Sequence, residues 1–136
     1  MLFRSQVIID SSALVAILGS EAEADDLENS LLDAPLRRIS AVTYVEIAIV
    51  VDSRRDAVLS RRLDEFLRET EVDIEPVTSE QARLAREAYR DFGKGRHSAG
   101  LNLGDCFAYA LAKDKGEPLL FKGEDFRRTD VEVAEV

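Results

Sequence analysis

The stretch "QVIIDSSALVAILG", residues 6–19, decides the fold. "QVIID" is apolar from Val7 to Ile9 without alternation, the pattern of a central strand covered on both faces. A helix is expected directly after it, from about Ser12 to a stop at Gly19. A buried strand leading straight into a helix is the first half of a βα unit. The strand ends on a carboxylate, Asp10, at its carboxyl end. An Asx-turn or a helix cap would account for an Asp there. So would a ligand site, because parallel α/β sheets bind outside the carboxyl ends of their strands.

The same alternation continues outward. Ser20 stands three residues before Glu23, a capping-box spacing, ahead of a helix with Ala24, Leu27 and Leu31 as its buried stripe and Pro35 as its end. "RRIS" (37–40) reads as a strand, and Ser40 as the cap of "AVTYVEIAIVV" (41–51), a helix so apolar that burial on all sides is expected. Leu59, Leu63, Phe66 and Leu67 mark an amphipathic helix. "VDIEPV" (72–77) is a strand whose Pro76 places it at an edge or a strand end. Thr78 and Gln81 repeat the capping-box spacing, and Ala85, Ala88, Tyr89 and Phe92 line a helix up to Gly93. "GKGRHSAGLNLG" (93–104) is a glycine-rich loop carrying Lys94, Arg96 and His97. A dry helix follows, apolar or aromatic from Cys106 to Ala112, with Asp105 as its expected cap. A buried strand "PLLF", a turn "KGED" and a closing segment "RRTDVEV" that can add an edge strand complete the chain. Alternating βα units define a three-layer α/β/α sandwich around a mainly parallel sheet of four to five strands.

The bulk numbers fit one domain over residues 1–136 and limit its function. One cysteine rules out a disulfide framework and a cysteine-rich zinc site, and suits a reducing, cytoplasmic compartment. The opening "MLFRSQ" lacks the apolar core of a signal peptide, and no apolar run approaches the ~20 residues of a membrane span. With 18 basic and 27 acidic residues the formal charge is −9, which argues against non-specific duplex binding. It does not argue against a nucleic-acid enzyme whose site is itself built from carboxylates, and it suits a partner bringing positive charge.

Carboxylates in dry places carry the functional reading. Glu46 lies among apolar residues, where a charge is expensive unless paired; a buried salt bridge to an arginine is the structural alternative. Asp105 begins an apolar helix, and Asp125 follows the last apolar strand at its carboxyl end. Asp130, in a polar segment, is the weaker candidate. Asp10, Asp105 and Asp125 face one rim of a parallel sheet, and Glu46 can reach it from the side. Converging carboxylates raise one another's pKa, and the simplest way to keep them ionised is Mg²⁺ or Mn²⁺, which prefer oxygen ligands. Two such cations about 4 Å apart activate water and stabilise a leaving alkoxide at a phosphodiester, with no Ser, Cys or His nucleophile. Cys106 fits the core. His97 is either surface or a contact to phosphate or base. Ser11 and Ser12 either cap or turn a hydroxyl toward a ligand.

"VIIDSSALVAIL", "ISAVTYVEIAIVV", "GLNLGDCFAYALAK" and "PLLFKGEDFRRTDV" resemble, in order, the acidic motifs of PIN-domain ribonucleases, and most closely the VapC toxins of bacterial toxin–antitoxin pairs. The resemblance implies a metal-dependent endoribonuclease cutting transfer or ribosomal RNA. Asp10 and Asp105 would be the principal Mg²⁺ or Mn²⁺ ligands, Glu46 the third acid and Asp125 the fourth, with Asp130 as the alternative. Ser12 matches the small hydroxyl position of the first motif. Lys94, Arg96, His97, Lys122, Arg127 and Arg128 would be candidates for touching phosphate. A homodimer and a VapB-type antitoxin laid across the site are also implied.

Two other classes fit parts of the pattern. A haloacid-dehalogenase-type phosphatase would use Asp10 as nucleophile, but Ser12 stands where many such enzymes carry a second acid. A non-catalytic module would use the acids as caps and salt bridges and the acidic surface to dock a basic partner.

Overall fold

The computed structural model describes residues 6–136; the expectation about a signal peptide falls largely on residues outside that range. β1 (Val7–Ile9) leads into α1 (Ser11–Leu18) and α2 (Ala24–Asp33). β2 (Arg37–Ser40) is followed by α3 (Ala41–Ser53) and α4 (Ala57–Glu69), and β3 (Val72–Glu75) by α5 (Ser79–Phe92) and α6 (Leu103–Lys115). β4 (Leu119–Leu120) completes a four-stranded sheet of order β3-β2-β1-β4. Every pairing is parallel.

Why the first strand must be continuous in hydrophobicity is visible in the two cores. Side chains alternate along a strand, so Val7 and Ile9 pack with Leu14, Leu31, Ile39, Ile47 and Leu63 on one face. Ile8 packs with Leu101, Leu111, Leu119 and Phe126 on the other. Helices α1 to α4 cover the first face and α5 and α6 the second, which gives the three layers expected. The chain leaves β1 toward β2 on one side and returns to its other side as β4. That reversal is a topological switch point, and the carboxyl ends of β1 and β4 flank it.

Four local expectations are corrected. Ser20 does not cap α2; it has a φ of 51°, and Glu23 stands at the cap position with no side-chain cap bond. Asp105 is the third residue of α6, not its cap: Asn102 caps, and the pair form a reciprocal capping box. The closing segment contributes a 3-10 turn, Phe126–Arg128, and one bridge between Leu119 and Val133 in place of a fifth strand. Helix α3 is not buried all round. Only Thr43, Ile47 and Val51 are enclosed, while Val45 is 53% and Ile49 63% exposed.

Other signals translate directly. Ser40 accepts from the Val42 N–H at the start of α3, and Thr78 from the Gln81 N–H at the start of α5. The edge position of β3 agrees with Pro76 just beyond it. No described helix is long and apolar enough to cross a membrane. Leu111 is fully enclosed in the core beneath α6. Leu111→Ala is expected to cost about 3 kcal/mol of stability, read as a lower urea midpoint with an unchanged m-value.

Candidate active site

Asp10 is the last residue before α1 and only 2% exposed. It does both things an Asp at this position can do. Its Oδ2 caps α1 by accepting the Ser12 N–H at 3.0 Å. Its Oδ1 is buried with no hydrogen-bond partner. A carboxylate oxygen enclosed without a donor is costly, and it is the oxygen that a cation would satisfy.

The next two acids reach Asp10 from different helices. Glu46 projects from the middle of α3, and its Oε1 accepts the Ser11 hydroxyl at 2.8 Å. Among the described residues no arginine pairs with Glu46, the partner that burial had suggested; the Ser11 hydroxyl bonds it instead. Asp105 sits in the first turn of α6, where its Oδ2 accepts the Asn102 N–H at 3.0 Å. All three thus spend one oxygen on a bond within the fold. The electrostatics join them. Burial pushes Asp10 up to about 7, against the pull of its Ser12 bonds, and the charges of Asp105 and Glu46 add to the rise. Asp105 is also raised, first by burial, with Glu46 and Asp125 contributing. Among the described residues no group of three or more His, Cys, Asp or Glu side chains is placed so that it could hold a metal ion; what joins these acids is their mutual electrostatic effect. The set is a group of mutually repelling oxygens, the chemistry of a site for a hard cation.

Asp125 and Asp130 differ in what each touches. Asp130 accepts from the Tyr109 hydroxyl and from Lys113 Nζ at 3.2 Å. Those bonds hold its carboxyl below the usual range, with the Tyr109 bond the largest cause. It anchors the closing segment to α6. Asp125 is exposed, makes no side-chain cap bond, and is near enough to oppose ionisation of Asp105. The loop that carries it is pinned to α1: Ser12 Oγ accepts the Lys122 N–H at 3.0 Å.

The other sequence candidates are more engaged than their residue types suggested. His97 Nδ1 accepts the Ala99 N–H at 3.0 Å, and its ring meets Phe92 edge-on. Arg96 lies over the Tyr89 ring at 5.9 Å. Lys122 pairs with Glu21 and Glu23, Arg127 with Glu124, and Arg128 donates to the Ser98 carbonyl at 3.0 Å. Lys94 lines an open groove between α5 and α6 with Arg86, Tyr89 and Leu103. Cys106 is core, as expected, and burial pushes its thiol up to about 11.

Residues 7–132 match the family model of the PIN domain. Ribonuclease VapC28 of Mycobacterium tuberculosis is 55% identical over 129 residues, covering 94% of this chain and 97% of that protein. Ribonuclease VapC of Mycolicibacterium smegmatis is 54% identical over 125 residues, covering 92% and 97%. Among solved structures the fold matches VapC20 of Mycobacterium tuberculosis, a sarcin-ricin loop cleaving toxin, with a TM-score of 0.74 at 18% identity over 92% of this chain and 95% of that one. It also matches VapBC2 from Rickettsia felis bound to a promoter DNA fragment, with a TM-score of 0.73 at 15% identity over 96% and 97%. The chain belongs to the PIN-domain family and, within it, to the VapC ribonucleases.

The raised Asp10 has a consequence for stability that needs no ligand. Its folded pKa of about 7 lies above the unfolded value of 3.8. Between these values the folded state holds a proton that the unfolded state releases, so stability falls as pH rises from about 4 to 7. In the presence of EDTA, Asp10→Asn is therefore expected to stabilise the fold at pH 8 by on the order of 2–4 kcal/mol, read as a higher Tm. The gain should shrink toward pH 4, and calorimetry across that range checks it.

Proposed function

We propose that this chain, read as one domain over 1–136, is the toxin of a toxin–antitoxin pair and acts as an endoribonuclease on RNA phosphodiesters, with Asp10, Glu46, Asp105 and Asp125 as its acids. One observation carries the assignment of the site: the buried, unpartnered Oδ1 of Asp10 at the switch point, faced by the charges of Glu46 and Asp105. Membership in the VapC ribonucleases supports the activity.

Asp10 and Asp105 are the residues that would hold Mg²⁺ or Mn²⁺. A bound divalent ion supplies a water of lowered pKa and neutralises charge developing on the phosphodiester. The chain's own residues do the rest. Asp10 offers Oδ1 because Ser12 holds Oδ2. Asp105 is fixed by the capping box of α6. Glu46, the third acid, is positioned to accept a proton from an attacking water. Asp125 closes the rim on a loop tied down by Ser12. Lys94, with Arg96 and His97 in the glycine-rich loop and Ser12 at the rim, supplies the proposed contacts to the RNA.

Partners follow from the surface. The structures matched include toxin–antitoxin complexes, and we infer a VapB-type antitoxin as the inhibitor, its basic side chains met by a surface of net charge −9. The exposed stripe of α3, Val45 and Ile49, continues onto Leu103, itself 71% exposed. We assign it to the homodimer, since an apolar surface beside a charged site is otherwise unfavourable.

Asp10→Asn and Asp105→Asn are each expected to reduce cleavage of mixed-sequence RNA in Mn²⁺ by about 10³-fold or more while circular dichroism stays unchanged. EDTA should have the same effect on the parent protein. Wild-type-like cleavage by either folded variant would refute the site. Ile49→Asp is expected to convert the dimer to a monomer in light scattering while circular dichroism stays unchanged, because Ile49 packs against little within the chain; any fall in Tm should be that of losing the dimer and should depend on protein concentration in the parent.

A further inference from the structure

We propose that Ser11 and Gly104 are positioning residues that together fix the Glu46 carboxylate, and that residue 104 is glycine for this reason; the catalytic consequence rests on Glu46 being one of the site acids. Gly104 is the second residue of α6 and does not have the positive φ of Gly95, Gly100, Gly116 or Gly123. Its backbone conformation therefore suits any residue, and alanine is the better helix former. What excludes alanine is contact. A Cβ at position 104 would lie 2.0 Å from Glu46 Oε2, 2.4 Å from Cδ and 2.6 Å from Oε1. All three nearest neighbours of that missing methyl group are atoms of one carboxylate.

The other side of the seat is Ser11. Its hydroxyl donates to Glu46 Oε1 at 2.8 Å, across 35 residues of sequence. The carboxylate that α3 supplies is thus held between the first residue of α1 and the second residue of α6. Such a hold is needed. Glu46 is half-buried on a long, flexible side chain that loses rotamer freedom when its carboxylate is held in one place. A hydrogen bond to a charged acceptor is among the stronger ones, and the absent side chain at 104 leaves the space that the bonded conformation occupies. Neither Ser11 nor Gly104 is proposed to touch RNA.

Two measurements test this. In EDTA, Gly104→Ala is expected to lower Tm in the parent protein but not in a Glu46→Ala background, where the better helix former should leave Tm unchanged or raise it. An equal loss in both backgrounds would show that Gly104 is required by something other than Glu46 and would overturn the proposal. Separately, Ser11→Ala is expected to lower kcat for mixed-sequence RNA about 10-fold with little change in KM, because a misplaced acid costs rate more than binding. Mn²⁺ affinity in calorimetry should weaken in parallel. Ser11→Thr, which keeps the hydroxyl, should recover most of both. Parent-like kcat and Mn²⁺ affinity in Ser11→Ala would overturn the role of Ser11. If Glu46→Gln cleaved like the parent, the acid assignment itself would fall, and the catalytic consequence with it. The reversal in Tm would still report the seat.

Discussion

One buried carboxylate sets the terms for the rest of the molecule. Asp10 must end β1 inside the fold, because the three apolar residues before it are enclosed on both faces of the sheet. Capping α1 satisfies one of its oxygens and leaves the other enclosed without a donor. Protonation relieves that burial and so does a cation, which is why burial and two neighbouring acids together bring its titration near neutrality. The surrounding elements are arranged accordingly. Rather than a salt bridge that would quench the charge, α3 and α6 bring two more carboxylates, restrained by the Ser11 hydroxyl from α1 and by the Asn102 N–H of the α6 cap respectively. The free energy of this arrangement is unfavourable without a ligand, and the two large apolar cores bear it.

Those cores also explain how much of the fold was legible in the sequence. The run Val7–Ile9 announces a strand covered on both sides, and the two-sided packing follows from side-chain alternation alone. Ser40 and Thr78 cap helices as their spacing suggests, because a cap is a local interaction. Where local signals misled, another local choice won at the starts of α2 and α6, and a longer-range contact won only in the closing segment. Ser20 has the spacing of a cap, yet the chain turns there through a left-handed conformation to bring α2 back over the sheet. Asn102 takes the cap of α6, which frees the Asp105 side chain from the N-cap position and aims it from the first turn. The closing segment is polar and its pairing reduces to one bridge, since Asp130 is drawn to Tyr109 and Lys113 on α6.

The site was legible to a different depth. Asp10, Glu46 and Asp105 stand out because charge in an apolar setting needs a reason. Residue type alone did not separate Asp125 from Asp130; in the fold Asp130 is bonded to Tyr109 and Lys113, whereas Asp125 makes no side-chain cap bond. The roles of Ser11, Ser12 and Gly104 were beyond sequence reasoning, because each depends on a residue far away in the chain: Ser11 on Glu46, Ser12 on Lys122, and Gly104 on Glu46 again. The apolar character of α3 was read correctly and explained wrongly. A helix without a polar face can be buried within its own chain or covered by another one, and periodicity does not tell these apart.

The charge balance bears on how an acidic protein handles RNA. Phosphate neutralisation by lysine and arginine normally supplies most of the affinity for a nucleic acid. Here most of the basic groups near the rim already have partners: Lys122 with Glu21 and Glu23, Arg127 with Glu124, and Arg128 with the Ser98 carbonyl. Little is left to grip a phosphate backbone of arbitrary sequence. Under the proposed reading, the ion held by the acids provides positive charge at the point of cleavage and nowhere else. The same deficit of free basic groups leaves the acidic surface available to a cationic partner.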